Sequence, residues 1–438
     1  MLRFLLLSSI AALAIAQDFP AKADAYVQSW TRDGLFRGTI LVAKDGQPLF
    51  RKGYGLANAE WDIPNSPETR FRLGSITKQF TAVAILQLAE KNKLKLSDPV
   101  KLHYPDAPAT WDKITIHHLL NHTSGIKSYT GLKDFFAKQS RQARTPSEIV
   151  KLTQDMPLEF EPGVKFAYNN SGYVLLGEII EKVSGQSYAT YLQQNVFTPL
   201  AMADSGYDSP TTILKRRASG YQSNGTKNAD FLDMSLPHAA GSLYSTVDDL
   251  LKWAPEKLVS PESFAKMTTP GKGKYAYGLI VDELKDHRVH THGGGINGFS
   301  TFLARFPDDK LTVVVLANQE TPAPQQIAFA LARMAFGENI PPRPVVTKVD
   351  VPAARLDQLA GRYEIAPNFV LRVWRDGEKM LTQATGQGEV EVVPTDENTL
   401  TQSKGEAKLV FERGADGKAT RLTLEQGGRR TPAKRIGD

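Results

Sequence analysis

Cysteine is absent from this chain of 438 residues. That excludes disulfides, a thiol nucleophile and any cysteine-ligated metal site. A chain without disulfides must be held by its core alone, and this length permits one. Long runs of like charge are absent too. The 53 Lys and Arg are interspersed with 47 Asp and Glu, which leaves a net charge of +6. A mild, dispersed positive balance reads as a solvated surface, so no nucleic-acid partner is expected. Beyond the first residues no segment is apolar enough to span a bilayer, and no stable membrane anchor is expected. No Gly-x-Ser-x-Gly occurs, hence no nucleophile elbow. Gly53-Tyr54-Gly55 lacks the third glycine of a dinucleotide loop, and no cofactor is implied. There is no internal repeat and no low-complexity tract.

What is present is an ordinary globular composition, 41% hydrophobic and 23% charged, which can bury a large core and forces no disorder. Met1-Leu2-Arg3, the apolar run Phe4 to Ala14 and the small residues Ala14-Ile15-Ala16 read as a secretory signal peptide over residues 1–16, cleaved before Gln17. The product would be exported, periplasmic or secreted. One long region follows, residues 17–338. Its hairpins near both ends, Thr39 to Lys44 with Leu49 to Gly53 and Thr301 to Phe306 with Leu311 to Ala317, enclose the helical patterns Ser75 to Lys91 and Tyr173 to Val183. That order predicts an α+β fold, an antiparallel sheet faced by helices with a helical subdomain. Asn339-Ile340-Pro341-Pro342-Arg343-Pro344 opens a linker, residues 339–353. Residues 354–438 carry short strands, among them Phe369 to Trp374, Lys379 to Gln383, Glu389 to Val393, Ala407 to Glu412 and Arg421 to Glu425. Asp376-Gly377, Asp416-Gly417 and Gly427-Gly428 punctuate them, and the pattern predicts a small antiparallel β-barrel or sandwich.

Three segments carry chemistry. In Ser75-Ile76-Thr77-Lys78 a hydroxyl and an amine stand three apart, on one face of a helix. A serine hydroxyl is a weak nucleophile until a neighbour takes its proton, and a lysine can do so only where its surroundings lower its pKa. By itself this four-residue pattern is weak, and a helix cap is its expected use. In Tyr168-Asn169-Asn170 a phenol can move protons and the Asn170 amide can hold Lys78 and substrate. In His292-Gly293-Gly294-Gly295 the glycines let backbone approach a ligand closely, and Gly295 can supply an oxyanion N–H. His118 and His122 stand four apart, a spacing that can hold zinc. Leu119 occupies the place of the catalytic Glu of that motif, so packing or hydrogen bonding is the expected use, and no metal site is predicted.

Taken in order, Ser-x-x-Lys, Tyr-x-Asn and His-x-Gly resemble the signature set of the serine β-lactamases and penicillin-binding proteins. They match the branch with Tyr-x-Asn, which holds class C β-lactamases, D-alanyl-D-alanine carboxypeptidases, D-aminopeptidases and related esterases. Phe71-Arg72-Leu73-Gly74, His122-Thr123-Ser124-Gly125, Gly172-Tyr173-Val174-Leu175-Leu176-Gly177 and Ala240-Gly241-Ser242-Leu243-Tyr244-Ser245-Thr246 resemble the segments that frame those motifs. The likeness runs from Tyr26 to Asn318. It implies an acyl-enzyme on Ser75, proton transfer by Lys78 and Tyr168, and substrate binding by Asn170, His292, Gly294 and Gly295. The Ser75 and Gly295 N–H groups would form the oxyanion hole, and His292 would contact substrate or Tyr168. The β-lactamases of this branch have Lys where His292 stands, and a mostly neutral imidazole binds a carboxylate less well. The resemblance therefore points to an ester or D-amino-acid peptide substrate. A D-Ala-D-Ala carboxypeptidase or weak class C-like β-lactamase is the alternative. A non-catalytic binding or regulatory protein on this fold would be marked by loss of Ser75, Lys78 or Tyr168, and all three are present. Leu359-Ala360-Gly361-Arg362-Tyr363-Glu364 and Phe369-Val370-Leu371 resemble the lipocalin-like barrel appended to some of these hydrolases. That barrel is associated with shaping the active-site mouth or with oligomerisation. A cell-wall-binding module, with the barrel as the functional part, is the remaining reading. The partner expected is a small-molecule or peptide substrate; the oligomeric state is left open.

Overall fold

Asp45 and Gly46 both take positive φ, 52° and 75°, the pair that a tight two-residue hairpin turn requires. They join strands β1 (Gly38–Lys44) and β2 (Gln47–Tyr54). Four more strands come from the far end of the same unit: β3 (Ile280–Leu284), β4 (His287–Ile296), β5 (Phe299–Phe306) and β6 (Leu311–Ala317). They form one antiparallel sheet in the order β2-β1-β6-β5-β4-β3. The long-range step is β1 on β6, with Leu41 opposite Val314. The computed structural model describes residues 18–223, 225–405, 407–426 and 429–438, and the expected leader over 1–16 lies outside them.

Side chains alternate across a strand, and here each face meets its own core. Ile40 and Val42 pack with Val313 and Val315 against Phe19, Ala23, Val27 and Trp30 of helix α1 (18–32) and Ile327 and Leu331 of a C-terminal helix. Leu41, Ala43, Val314 and Leu316 face helix α2 (Thr77–Glu90) and the helical subdomain. Every residue of α2 from Thr77 to Leu88 is buried, because helix α3 (Asn170–Ser184) and the short helices His238–Gly241 and Pro261–Thr268 enclose it. Phe80 stacks on Trp253 with ring centroids 4.0 Å apart, and the indole N–H of Trp253 donates to Gln79 Oε1 at 2.9 Å. Helix α3 is capped by the Asn169 side chain, which accepts from Gly172 N–H at 2.8 Å, and stops where Gly185 turns left-handed at φ 71°. The periodicity placed the first of these helices from Ser75. Instead Gly74–Ile76 form a 3₁₀ turn and α2 starts at Thr77. Among the described residues no helix is long and apolar enough to cross a membrane.

Contacts divide the chain between Pro341 and Pro342, and residues 338–352 form no helix or strand. The second unit is a closed barrel of eight antiparallel strands in simple sequence order. It runs from Gly361–Ala366 to Arg429–Gly437, and Tyr363, Leu371, Val373, Leu400, Phe411 and Leu422 fill its interior. The patterning located five of the eight strands. Thr399–Gln402 is only four residues long, and Arg429–Gly437 carries Pro432 and many charges, so neither reads as a strand from composition alone.

Candidate active site

Two close backbone approaches bring the nucleophile turn to the sheet. Gly74 has φ +55°, and a Cβ on it would stand 3.0 Å from the Gly295 nitrogen. A Cβ on Gly294 would stand 1.9 Å from the Leu73 carbonyl oxygen. Only glycine permits this spacing. Thr301 on β5 fastens the same point by donating its hydroxyl to Leu73 O at 2.7 Å, while Leu73 N–H donates to Leu243 O at 2.8 Å. Gly294 thus shapes the backbone path and has no free face. Gly295 does have one, since a Cβ there would meet nothing within 4 Å.

Ser75 is held beside the buried amine of Lys78. Lys78 Nζ lies 3.1 Å from Ser75 Oγ, 2.9 Å from Asn170 Oδ1 and 2.8 Å from Ala240 O. No carboxylate is among these partners, and the side chain is fully buried. Burial drives its pKa well below the ordinary lysine value because the charged form has lost its hydration. Asn170, in turn, is fixed by donating to Thr130 Oγ1 at 3.1 Å. Tyr168 stands over this group: its ring centroid is 4.8 Å from Lys78 Nζ, and its hydroxyl is on the Ser75 side. The residue as a whole remains 40% exposed. Loss of hydration pushes the phenol above its usual range, and the neighbouring Ser75 hydroxyl pulls the other way.

His292 lies beneath Tyr168 with ring centroids 6.2 Å apart, buried, and does not line the cleft. Its Nδ1 is 2.6 Å from the Gly293 carbonyl oxygen, which can only accept. The proton is therefore on Nδ1, and Nε2 accepts from the Tyr275 hydroxyl at 3.0 Å. Burial, with the neighbouring Lys78 amine second, lowers its pKa to about 3. It stays neutral, and both nitrogens are occupied within the protein. Tyr275→Phe should leave Nε2 unpaired and destabilise the fold by about 1–3 kcal/mol; urea melts of the two proteins measure this, and equal stability would mean the bond contributes nothing.

Sequence reading missed two members of the site. The Ala240 carbonyl sits in a quoted segment, but nothing in a sequence marks a carbonyl as a lysine acceptor. Tyr275 carries no motif. His122, for which packing or hydrogen bonding is the expected use, does both. It lies past the end of helix Ile116–Leu120 at φ 59°, buried, and accepts the Asn169 N–H on Nδ1 at 3.1 Å. Its ring packs 4.3 Å from that of Tyr168 and 4.5 Å from that of Tyr275, so it braces the tyrosine loop.

Ser75, Asn170, Gly241 and Gly295 border an open cleft of about 420 Å³. Its remaining wall is largely apolar, built from Phe135, Phe136, Leu232, Leu236, Ile296 and Phe299. Among the described residues that line it, Glu320 is the one charged side chain.

Residues 23–335 match the protein-family model described as Beta-lactamase, and residues 346–434 match one described as Domain of unknown function (DUF3471). A penicillin-binding protein of Bacillus subtilis (strain 168) is 29% identical over 431 residues, 90% of this chain and 93% of its own. Among solved structures, the octameric penicillin-binding protein homologue from Pyrococcus abyssi aligns with a TM-score of 0.66 at 27% identity, covering 94% of this chain and 99% of that one. A D-stereospecific amidohydrolase from Streptomyces sp. aligns with a TM-score of 0.60 at 25% identity, covering 75% and 99%.

Proposed function

Because the chain belongs to the serine beta-lactamase and penicillin-binding-protein family, we propose that it hydrolyses an ester or amide through an acyl-enzyme on Ser75. The observation that carries this is the buried Lys78 amine, 3.1 Å from Ser75 Oγ with no carboxylate beside it. A neutral amine has two N–H bonds and one lone pair. Asn170 Oδ1 and Ala240 O accept the two N–H bonds, which turns the lone pair toward the Ser75 hydroxyl. Lys78 is then the base that takes the Ser75 proton as Oγ attacks the carbonyl carbon. The N–H groups of Ser75 and Gly295 stabilise the oxyanion. Tyr168, a neutral phenol on the Ser75 side, passes the proton to the leaving group. The same pair activates the water that releases the acid.

The substrate we favour is an ester or a D-amino-acid amide. The likeness to a D-stereospecific amidohydrolase supports the amide. Carboxypeptidase or β-lactamase activity would need a cation for the substrate carboxylate, and the neutral His292 supplies none. The Bacillus subtilis relative, matched over 93% of its length, keeps that reading second. We place the protein outside the cytoplasm on the strength of its N-terminal leader pattern.

Mass spectrometry after a fluorophosphonate probe tests the nucleophile. One adduct on the wild type and none on Ser75→Ala is the expected result. No adduct, together with no turnover of p-nitrophenyl esters, D-amino-acid amides or nitrocefin, would overturn the proposal.

A further inference from the structure

The cleft beside Ser75 has an apolar wall, and the only charge among its described lining residues is negative. That charge is Glu320, which follows β6 at the end of Asn318-Gln319. Glu320 is fixed at both ends. Its backbone N–H donates to Tyr221 O at 3.0 Å, and its Oε1 accepts the Gly298 N–H at 3.0 Å. Gly298, at φ +80°, forms the turn between β4 and β5. A Cβ there would strike Gly220 at 2.5 Å, so the turn cannot drift. The hairpin that carries Gly295 therefore also holds the carboxylate, and the two keep a constant relation to Ser75. Glu320 is half-buried and forms no ion pair among the described residues. Among the described residues its second oxygen has no hydrogen-bond partner.

A half-buried carboxylate on an apolar wall is a ready acceptor for a positive group through a charge-assisted hydrogen bond. The neighbouring polar side chains Ser300 and Asn297 carry no charge. Ser300 Oγ is bonded to Thr321 N–H, and the Asn297 amide donates to Asp230 O. From this juxtaposition we infer that the cleft selects acyl donors bearing a free ammonium group beside an apolar side chain, with Glu320 as the ammonium acceptor. The class is an amino-acid amide or ester with an unblocked amine. Acyl donors that present a carboxylate are repelled. The inference rests on the acyl-enzyme reading of Ser75, since it names which acyl groups reach that residue.

The test compares kcat/KM for D-phenylalanine p-nitroanilide with its N-acetyl and N-succinyl derivatives, and p-nitrophenyl butyrate reports Ser75 chemistry on an uncharged acyl group. A charge-assisted bond predicts at least about a tenfold preference for the free amine over the acetylated form, mainly in KM. In Glu320→Gln the amide oxygen still accepts the Gly298 N–H, so the turn is kept while the charge is lost. The amine-to-acetyl ratio should then fall to about one, and Glu320→Lys should move the preference to the succinyl compound. A wild-type enzyme that cleaves the butyrate ester without preferring the amine, or a ratio unchanged in Glu320→Gln, overturns this inference and leaves the Ser75 reading intact. Absence of all turnover together with absence of a probe adduct on Ser75 overturns both.

Discussion

Lys78→Ala is expected to lower kcat/KM by about 10²- to 10⁴-fold, the span of a positioned general base. Arginine at this position should not restore activity, because its guanidinium stays protonated and cannot accept the Ser75 proton. A small primary amine added to Lys78→Ala should restore part of the rate, since the vacated space keeps the Asn170 Oδ1 and Ala240 O acceptors that orient an amine. The pH profile follows from the same group. Burial lowers the Lys78 pKa well below its ordinary value, and the neutral amine is the active form. In the wild type kcat/KM should therefore rise with pH through that depressed pKa and be lost on its acid side. Tyr168 is pushed above the usual phenol range, so no alkaline loss is expected below about pH 10. Burst acylation by a p-nitrophenyl ester, followed as a function of pH, checks both limbs. Rapid acylation of Lys78→Ala at neutral pH without added amine would remove Lys78 from the proton path.

Gly294→Ala should cost both stability and rate. Its Cβ would stand 1.9 Å from Leu73 O and 2.3 Å from Thr301 Oγ1, and neither is the free end of a flexible side chain. Overpacking of this kind typically costs about 1–3 kcal/mol. The backbone must move to relieve it, and the parts that move are the Leu73-Gly74-Ser75 turn and the strand carrying Gly295. A displacement near 1 Å at reacting groups can cost about 10²-fold in kcat. Gly295→Ala is the contrast, because its Cβ would meet nothing within 4 Å and thermal stability should be unaltered. Thermal melts beside kcat for a p-nitrophenyl ester measure the pair. Equal melting temperatures for the two variants would mean the close approach at Gly294 is not a constraint.

The local rules carried well where one residue type decides a local conformation. Asp45-Gly46 marked a hairpin, Gly185 a helix end and Asp376-Gly377 a barrel turn, because few residues tolerate positive φ. The strands β1, β5 and β6 were legible as near-continuous apolar runs because both sides of the sheet are buried. Ser75, Lys78, Tyr168 and Asn170 were legible as residue types at motif spacing, and the structure brings all four together. His292 shows where that reading stopped. Its position was legible and its orientation was not, because Tyr275, which binds its Nε2, has no motif. The sequence by itself determined which chemical groups exist and the short-range turns and caps that present them. The tertiary structure alone decided that the Lys78 amine is buried away from water beside Ser75, that His292 is sealed beneath Tyr168 and that Glu320 stands on the wall of the cleft. Those outcomes depend on desolvation and on acceptors far away in the chain, such as Ala240 for Lys78. Packing brings such groups together, and spacing along the sequence does not record it.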